Sequence, residues 1–282
     1  MNFIEAVVLG IIQGLSEYLP ISSTGHLTVA GKLMNVISSA NPEHWTAFMA
    51  VIQLGTLLAV LVYFRNDLIH IVKDFLNDNL FNRKKFSTQS DNSKMGWYLV
   101  IATLPVAIIG LSFKHIIEGM LTKNLYVISA SLIVLAIILA FAERYGKFNR
   151  KFENIKWYDA FVIGIAQSFA LIPGSSRSGT TITAALFLGF NRETAARFSF
   201  LMSIPAVLAS GLLELYESLK FLSGEGLVNL FAATIASAIV GYFSIEFLLR
   251  YLKKNSTMVF IVYRVVLGIL ILLLISNGII QP

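Results

Sequence analysis

Polar side chains that could perform acid–base chemistry occur in an otherwise apolar N-terminal stretch, QGLSEYLPISSTGH, which begins at Gln13. Gln13 and Glu17 are four residues apart, so both lie on one face of a helix and can point at one ligand. A carboxylate in such an apolar stretch is costly to bury and normally faces a cavity or a partner. We therefore expect Glu17 to belong to a functional site, the alternative being a structural cap or pair.

The end of the same stretch adds hydroxyl groups and an imidazole. Ser22, Ser23 and Thr24 could supply a nucleophile, and His26 changes charge near neutral pH and could carry protons. Gly25 lets the backbone turn closely. Two structural alternatives remain open: a hydroxyl that caps the following helix, and a hydrogen bond from His26 to a backbone carbonyl.

A second polar stretch, PGSSRSGTT, follows an apolar run in the second half of the chain and begins at Pro173. Its arginine, Arg177, offers a planar and permanently charged fork, and both arginine forks and helix N-termini suit phosphate oxygens. Inserting an arginine at membrane depth costs about 2.5 to 3.5 kcal/mol of free energy, so we expect Arg177 to have a specific partner or ligand. The alternative is an internal salt bridge, for example to Glu17. The neighbouring hydroxyls that we expect to bind substrate are Ser175, Ser176, Ser178 and Thr181.

The composition predicts what surrounds these groups. Of 282 residues, 56% are hydrophobic and 13% are charged, and the mean hydropathy is +0.73. These values are typical of an integral membrane protein. The chain has no cysteine, which excludes disulfides, thiolate catalysis and thiolate metal sites. The net charge of +6 comes from short basic loops beside apolar runs, a pattern of membrane orientation rather than nucleic-acid binding.

Six apolar runs are long enough to cross a bilayer. They are Trp45 to Phe64, Gly96 to Phe113, Leu125 to Ala142, Thr194 to Leu215, Leu227 to Leu249 and Met258 to Ile275. The two remaining apolar segments contain the polar stretches, and the limb after each break is too short to span about 30 Å of hydrocarbon. We expect both to be re-entrant hairpins whose broken backbone faces protein or a wet cavity.

The two hairpins resemble each other in sequence. GIIQGLSEYLPISSTG, from Gly10, aligns with GIAQSFALIPGSSRSG, from Gly164. Each half of the chain then contains one hairpin and three spans, and an odd number of spans turns the second half upside down. The predicted fold is all-α, a single membrane domain with an inverted-topology repeat, residues 1–150 forming the first repeat and 151–282 the second.

The distribution of basic residues predicts the orientation of these spans. Sixteen of the 22 Lys and Arg fall on one side of the arrangement and four on the other, with Arg177 and Arg264 inside the membrane. The richer side is expected to be cytoplasmic, which places both termini outside. Arg264 could extend toward the cytoplasmic surface. We interpret the stretch from Ser87 to Ser93 as a solvated cytoplasmic loop without chemistry.

Together, QGLSEYLPISSTGH and PGSSRSGTT resemble the motifs of the undecaprenyl-diphosphate phosphatase family of the bacitracin-resistance type, over essentially the whole chain. The family writes its first motif as Glu or Gln, three residues, then Glu, which Gln13 and Glu17 match. His26 matches the family histidine, and Arg177 matches the arginine of its second motif. The hydroxyl run of the family corresponds to Ser22, Ser23 and Thr24.

This resemblance implies hydrolysis of undecaprenyl diphosphate to undecaprenyl phosphate and inorganic phosphate. The reaction recycles the lipid carrier for cell-wall precursors, confers bacitracin resistance and takes place at the bacterial cell membrane. It implies catalytic roles for Glu17, Ser23, His26 and Arg177, and help from a divalent cation, Mg²⁺ or Ca²⁺. Because a glutamine occupies position 13, the cation is expected to bind Glu17, substrate phosphates and water rather than two carboxylates.

Several alternatives remain at this stage. The nucleophile is Ser23, Ser22, Thr24 or a water molecule. Broken helices in an inverted repeat are also typical of secondary transporters, so a carrier of an anionic lipid or phosphate compound is a second hypothesis. Membrane acid phosphatases place a histidine several residues after a Ser-Arg pair, and the sequence after Arg177 contains none. The oligomeric state is open, a homodimer included.

Overall fold

The protein is known from a computed structural model that describes residues 1–37, 42–113, 124–218 and 224–281. Regular structure in these residues is helical, apart from one isolated bridge between Arg150 and Phe190. The α-helices, in chain order, are α1 (Phe3–Ser16), α2 (Ser23–Leu33), α3 (Pro42–Tyr63), α4 (Arg65–Leu76), α5 (Asp91–Ser112), α6 (Leu125–Tyr145), α7 (Trp157–Ser168), α8 (Arg177–Phe187), α9 (Arg192–Ser218), α10 (Gly224–Leu252) and α11 (Met258–Ser276).

Six of these helices, α3, α5, α6, α9, α10 and α11, are long and apolar enough to cross a membrane. This confirms the six predicted spans and the all-α membrane fold. The spans are longer than predicted at several ends, because polar residues extend the helices beyond their apolar cores. At α5, for example, the Ser90 side chain accepts a hydrogen bond from the Ser93 N–H, so the helix begins at Asp91 instead of Gly96.

The two predicted hairpins each consist of two short helices separated by a break. In the first, α1 has 14 residues and α2 has 11; in the second, α7 has 12 and α8 has 11. At 1.5 Å per residue, none of the four helices reaches across about 30 Å of hydrocarbon. That both hairpins enter and leave the membrane on one side stays a prediction.

Each hairpin packs against a span from the other half of the chain. Helix α1 lies along α10, and α7 lies along α5. Gly10 of α1 rests on the backbone of Ala233, and Gly164 of α7 rests on the backbone of Ala102, with no room for a Cβ atom at either glycine. Small residues allow this close approach between membrane helices. The two glycines are equivalent in the aligned sequences. Each hairpin therefore packs on a span of the opposite half through the same position, as expected for an inverted repeat.

Ion pairs join helix ends that the sequence assigns to the same, basic side. Arg197 near the start of α9 contacts Asp67 of α4 at 2.8 Å, and Lys253 after α10 contacts Glu193 at 3.3 Å. These pairs agree with the relative sidedness of the spans. They leave open which compartment that side faces.

The interpretation of Ser87 to Ser93 as a solvated loop is wrong for part of that stretch. Gln89 and Ser93 are buried. The Ser93 hydroxyl donates to the Gln89 amide oxygen at 3.2 Å, and the Gln89 amide donates to Asn79 at 2.9 Å. These polar groups satisfy one another, which allows their burial. The sequence pattern showed their polarity but not their mutual contacts.

A carboxylate anchors the same region to the turn before it. Asp78 accepts the Ser90 N–H at 2.8 Å and pairs with the Lys84 ammonium at 2.8 Å. The hydrogen bond from Lys84 holds the pKa of the Asp78 carboxyl below its ordinary value. This cluster fixes the start of α5 from outside the membrane span.

Candidate active site

The turns of the two hairpins share an unusual backbone conformation at one serine. Ser22 has φ 73° and ψ 97°, and Ser176 has φ 67° and ψ 108°. Non-glycine residues seldom adopt positive φ, and such conformations concentrate at functional sites. Each serine side chain also accepts a hydrogen bond from the N–H three residues later, at Gly25 or Gly179. Both serines are thus caps of the second limb, as one of the sequence alternatives proposed for Ser22.

Glu17 lies at the centre of the polar groups between these turns. Its Oε2 atom accepts hydrogen bonds from the Gln13 amide at 2.8 Å and the Ser23 hydroxyl at 2.7 Å. Its Oε1 atom accepts a hydrogen bond from Arg177 at 2.8 Å. Gln13, Glu17, Ser23 and Arg177, which were predicted from two distant stretches, therefore meet in one cluster.

Arg177 joins the second hairpin to this cluster. The side chains of Arg177 and Glu17 are 12% and 4% exposed, so their ion pair is largely removed from solvent. The guanidinium lies 5.7 Å from the centre of the Tyr18 ring, and the Tyr18 hydroxyl donates to the Thr56 carbonyl at 2.5 Å. The internal salt bridge, the alternative considered for Arg177, is thus present in the protein without substrate. A carboxylate and a phosphate both use oxygen atoms to bind such a fork, so the pair also suits a phosphate site.

His26 is close to the cluster in sequence but makes different contacts. Its Nδ1 lies 2.7 Å from the Ser22 carbonyl oxygen and its Nε2 lies 2.6 Å from the Tyr263 hydroxyl. The bond to a backbone carbonyl is the structural alternative proposed for this histidine. Ser23 instead donates to Glu17. In this arrangement the carboxylate, and not the imidazole, is the base beside the Ser23 hydroxyl.

Most of the other predicted substrate-binding hydroxyls hold the second turn together. Ser178 donates to the Leu19 carbonyl at 3.0 Å, which ties the two turns to each other. Thr181 and Ser199 share a hydrogen bond of 2.6 Å. The Ser175 hydroxyl is buried without a hydrogen-bond partner among the described residues. Thr24 is half-buried at the start of α2, beside Ser23.

Arg264 does not extend to the membrane surface, so that interpretation is wrong. It is fully buried, and its Nη2 donates to the Ser175 carbonyl at 2.9 Å. Its Nε and Nη1 have no hydrogen-bond partner within the described part of the chain. Nη1 would lie 2.6 Å from a Cβ atom at Gly179. The sequence contained one signal for this role, an arginine inside an apolar span, but not the direction of its side chain.

The cluster combines the groups that phosphoryl transfer requires. A hydroxyl lies beside a carboxylate that can accept its proton, and a guanidinium lies beside both. Among the described residues, no group of three or more His, Asp or Glu side chains could hold a metal ion. Glu17 is the one carboxylate among the described contacts of the cluster, so any cation bound there would need further oxygen ligands.

Comparison with known proteins agrees with this chemistry. A family model described as bacitracin resistance protein BacA matches residues 6–270. A relative from Syntrophobacter fumaroxidans is 59% identical over 268 residues, which cover 95% of each chain. Relatives from Chlorobium chlorochromatii and Chloroherpeton thalassium are 50% and 48% identical, over 100% and 99% of this chain and 100% and 98% of their own. All three are named undecaprenyl-diphosphatase.

The family match runs from α1 into α11, and the relatives cover 95% or more of this chain. Gln13, Glu17, Ser23, His26 and Arg177 all fall within the matched residues. The chain therefore belongs to the bacitracin resistance protein BacA family.

Proposed function

We propose that this protein hydrolyses undecaprenyl diphosphate to undecaprenyl phosphate and inorganic phosphate, which recycles the lipid carrier for cell-wall synthesis and confers resistance to bacitracin. The observation that carries the proposal is the contact of Glu17 with both Ser23 and Arg177, which joins a base, a hydroxyl and a cation from two hairpins. The names of relatives matched over nearly their full length support the same substrate.

The first chemical step uses the hydrogen bond between Ser23 and Glu17. The Ser23 oxygen, or a water molecule that it positions, attacks the terminal phosphorus while Glu17 takes the proton. The bond from that phosphorus to the bridging oxygen breaks, and undecaprenyl phosphate leaves. If Ser23 is the nucleophile, water then hydrolyses the phosphoserine and releases inorganic phosphate.

Arg177 holds the terminal phosphate during this step. Its guanidinium now donates to a Glu17 oxygen at 2.8 Å, a position that a phosphate oxygen can take over. Its planar fork can grip two oxygens and stabilise the charge that develops in the transition state. Substrate binding would thus exchange an internal ion pair for a phosphate contact and release the Glu17 carboxylate for proton transfer.

A divalent cation, Mg²⁺ or Ca²⁺, is also proposed to bind here. Glu17 supplies a carboxylate, and the Gln13 amide oxygen is buried without a hydrogen-bond donor among the described residues. Such hard oxygen donors fit either ion, with substrate phosphates and water completing the coordination. When bound, the cation would neutralise charge on the phosphate oxygens.

The proposed membrane arrangement follows from the basic side of the fold. The cell membrane is the expected location, with the Lys/Arg-rich helix ends in the cytoplasm and both termini outside. Cysteines introduced singly at the exposed Ser87 and Gln281 allow a direct test, because the chain has no cysteine. An impermeant thiol reagent should label position 281 and not position 87 on intact cells. The reverse pattern would overturn the orientation.

Phosphate release from undecaprenyl diphosphate by the purified protein in detergent tests the function. We expect multiple turnovers by the wild-type protein and loss of most activity in Ser23→Ala, because this change removes the hydroxyl beside Glu17. Near-normal turnover in Ser23→Ala would move the nucleophile to Ser22, Thr24 or water. No phosphate release by the folded wild-type protein would instead favour the second hypothesis, a carrier of anionic lipids or phosphate compounds.

A further inference from the structure

The contacts of His26 determine where its ring can exchange a proton. Nδ1 lies 2.7 Å from the Ser22 carbonyl oxygen, which can only accept a hydrogen bond. Nδ1 therefore carries the ring hydrogen, and Nε2 is the position at which the imidazole gains or loses its second proton. Whatever group contacts Nε2 controls that exchange.

Tyr263 occupies this position. Its hydroxyl lies 2.6 Å from Nε2, and the two rings stack with centroids 5.5 Å apart and planes 5° apart. Tyr263 comes from α11, far in sequence from the two polar stretches, and is 43% exposed. A hydroxyl can donate to Nε2 when that atom is bare and accept from it when it is protonated. Tyr263 can thus keep its contact with the imidazole in either protonation state.

The proposed reaction releases a proton that needs an acceptor such as His26. A fully ionised prenyl diphosphate carries three negative charges, and its hydrolysis by one water gives two phosphates with two negative charges each and one released proton. The proton from Ser23 goes first to Glu17, which is enclosed by Gln13, Ser23 and Arg177. One proton must leave this closed cluster in every turnover.

We propose that Tyr263 is a positioning residue whose hydroxyl fixes the orientation and the tautomer of the His26 imidazole, an inference that rests on the proposed function. While His26 is neutral, the hydroxyl donates to Nε2 and keeps the ring hydrogen on Nδ1. When Nε2 binds a proton released in turnover, the hydroxyl turns and accepts a hydrogen bond from it. The proton is bound and released at Nε2, and Tyr263 itself stays neutral throughout.

The main test is the kinetics of Tyr263→Phe, which keeps the stacked ring and removes only the hydroxyl. We expect kcat to fall on the order of tenfold, the effect of one lost hydrogen bond, and KM to change less than about twofold. Tyr126→Phe is the matched control, because Tyr126 is half exposed on α6 and its hydroxyl contacts none of the site residues. An unchanged or increased kcat in Tyr263→Phe would overturn the proposal, an increase indicating that the hydroxyl blocks His26.

A double substitution separates positioning of His26 from a general structural effect. In a His26→Gln background, assayed at a protein concentration high enough to quantify its lowered activity, Tyr263→Phe should lower kcat less than about twofold further. A second tenfold loss in that background would show that Tyr263 acts independently of His26 and would contradict the proposal.

Nitrogen-15 NMR of the imidazole provides a readout that does not depend on activity. The His26 signals can be assigned by their loss in His26→Gln, since the chain has four histidines. The Nε2 resonance should move in Tyr263→Phe and stay in place in Tyr126→Phe. An unmoved resonance would overturn the contact, whereas a moved resonance in a protein that releases no phosphate would contradict the proposed function alone.

Discussion

The two hairpins share the conformation of one turn residue but present different chemical groups. Both turns place a serine at positive φ, Ser22 or Ser176, and both serines cap the N–H of a glycine three residues later. The residue that follows each serine differs: Ser23 in the first hairpin and Arg177 in the second. One turn geometry therefore presents a hydroxyl from one half of the chain and a guanidinium from the other, and Glu17 joins the two.

The hairpins also differ in how firmly they are held. Helix α8 packs against α6, α7 and α9, whereas α2 packs mainly against α1 and α6. Arg150 clamps both limbs of the second hairpin, because its Nη1 donates to Asp159 at 2.9 Å and to the Leu188 carbonyl at 3.0 Å. The Asp159 carboxylate raises the pKa of the Arg150 guanidinium. We infer that the second hairpin, which carries Arg177, is the more rigid of the two. The first hairpin, which carries Glu17 and Ser23, can adjust its position more easily.

Among the substitutions that test this comparison, Glu17→Gln should lower activity the most. It removes the carboxylate that connects the two hairpins. An amide cannot accept the Ser23 proton, and general-base catalysis is typically worth 10²- to 10⁴-fold, so we expect kcat to fall by roughly that factor. Phosphate release by the purified variant is the measurement. A kcat within about tenfold of wild type would contradict the role of Glu17 as the base.

The melting temperature of Glu17→Gln must be measured as a control, because the substitution leaves Arg177 without its buried partner. Breaking a buried pair costs about 3 to 5 kcal/mol, whereas removing both partners costs less. The double variant Glu17→Gln/Arg177→Gln should therefore regain part of the melting temperature and no activity. Activity that returned together with stability would show that the pair is structural.

Arg177→Lys should have the second-largest effect. Lysine keeps the charge but replaces the planar fork with a compact ammonium group. Loss of one charge-assisted hydrogen bond, worth about 1.5 to 3 kcal/mol, should lower kcat roughly ten- to a hundredfold or more. Arg197→Lys is the matched control, because Arg197 pairs with Asp67 away from the site. A kcat within about threefold of wild type for Arg177→Lys would favour the plain salt bridge.

A pair of glycine substitutions tests the difference between the turns. A Cβ atom at Gly25 would lie 3.4 Å from Ile128, an ordinary contact, whereas at Gly179 it would lie 2.6 Å from Arg264 Nη1. Because Arg264 is fully enclosed, it has little room to move.

We expect Gly179→Ala to lower the melting temperature by several degrees and to lower kcat on the order of tenfold. Gly25→Ala should be neutral or stabilising by up to about 1 kcal/mol, the gain in helix propensity. Equal effects of the two substitutions would contradict the assigned role of Arg264.

Hydrogen exchange should reveal the smallest difference, that between the second limbs of the unliganded hairpins. Because α2 has fewer packing partners than α8 within the described part of the chain, its amides should exchange faster than the equivalent amides of α8, by roughly tenfold. Mass spectrometry of the protein in nanodiscs can compare the two segments in one sample. Slower exchange in α2 than in α8 would reverse the proposed division between a firm and an adjustable hairpin.

The sequence was sufficient to predict the six spans and the broken segments. Lipid allows few alternatives to a long apolar helix, and a limb of 11 residues is too short to cross, so length and polarity alone predict these elements. The meeting of Glu17 with Arg177 was predicted as an alternative, because an intramembrane charge requires a partner or a ligand.

Contacts that depend on helix rotation were not predictable from spacing. Arg264 was expected at the surface, yet its side chain points to Ser175, and Tyr263 was not singled out at all. Both lie on α11, whose nearly uniform apolar sequence does not indicate which face meets the hairpins. The burial of Gln89 and Ser93 was missed for a related reason: polar residues look solvated until their hydrogen-bond partners are known.

A structure of the protein with a hydrolysis-resistant prenyl diphosphate analogue would test the central claim most directly. We expect the terminal phosphate between the two turns, with Arg177 bonded to its oxygens, the 2.8 Å contact between Arg177 and Glu17 broken, and the Ser23 hydroxyl facing the phosphorus. A diphosphate bound elsewhere, with the Arg177–Glu17 pair intact, would contradict the claim that this pair is the substrate-free form of the catalytic site.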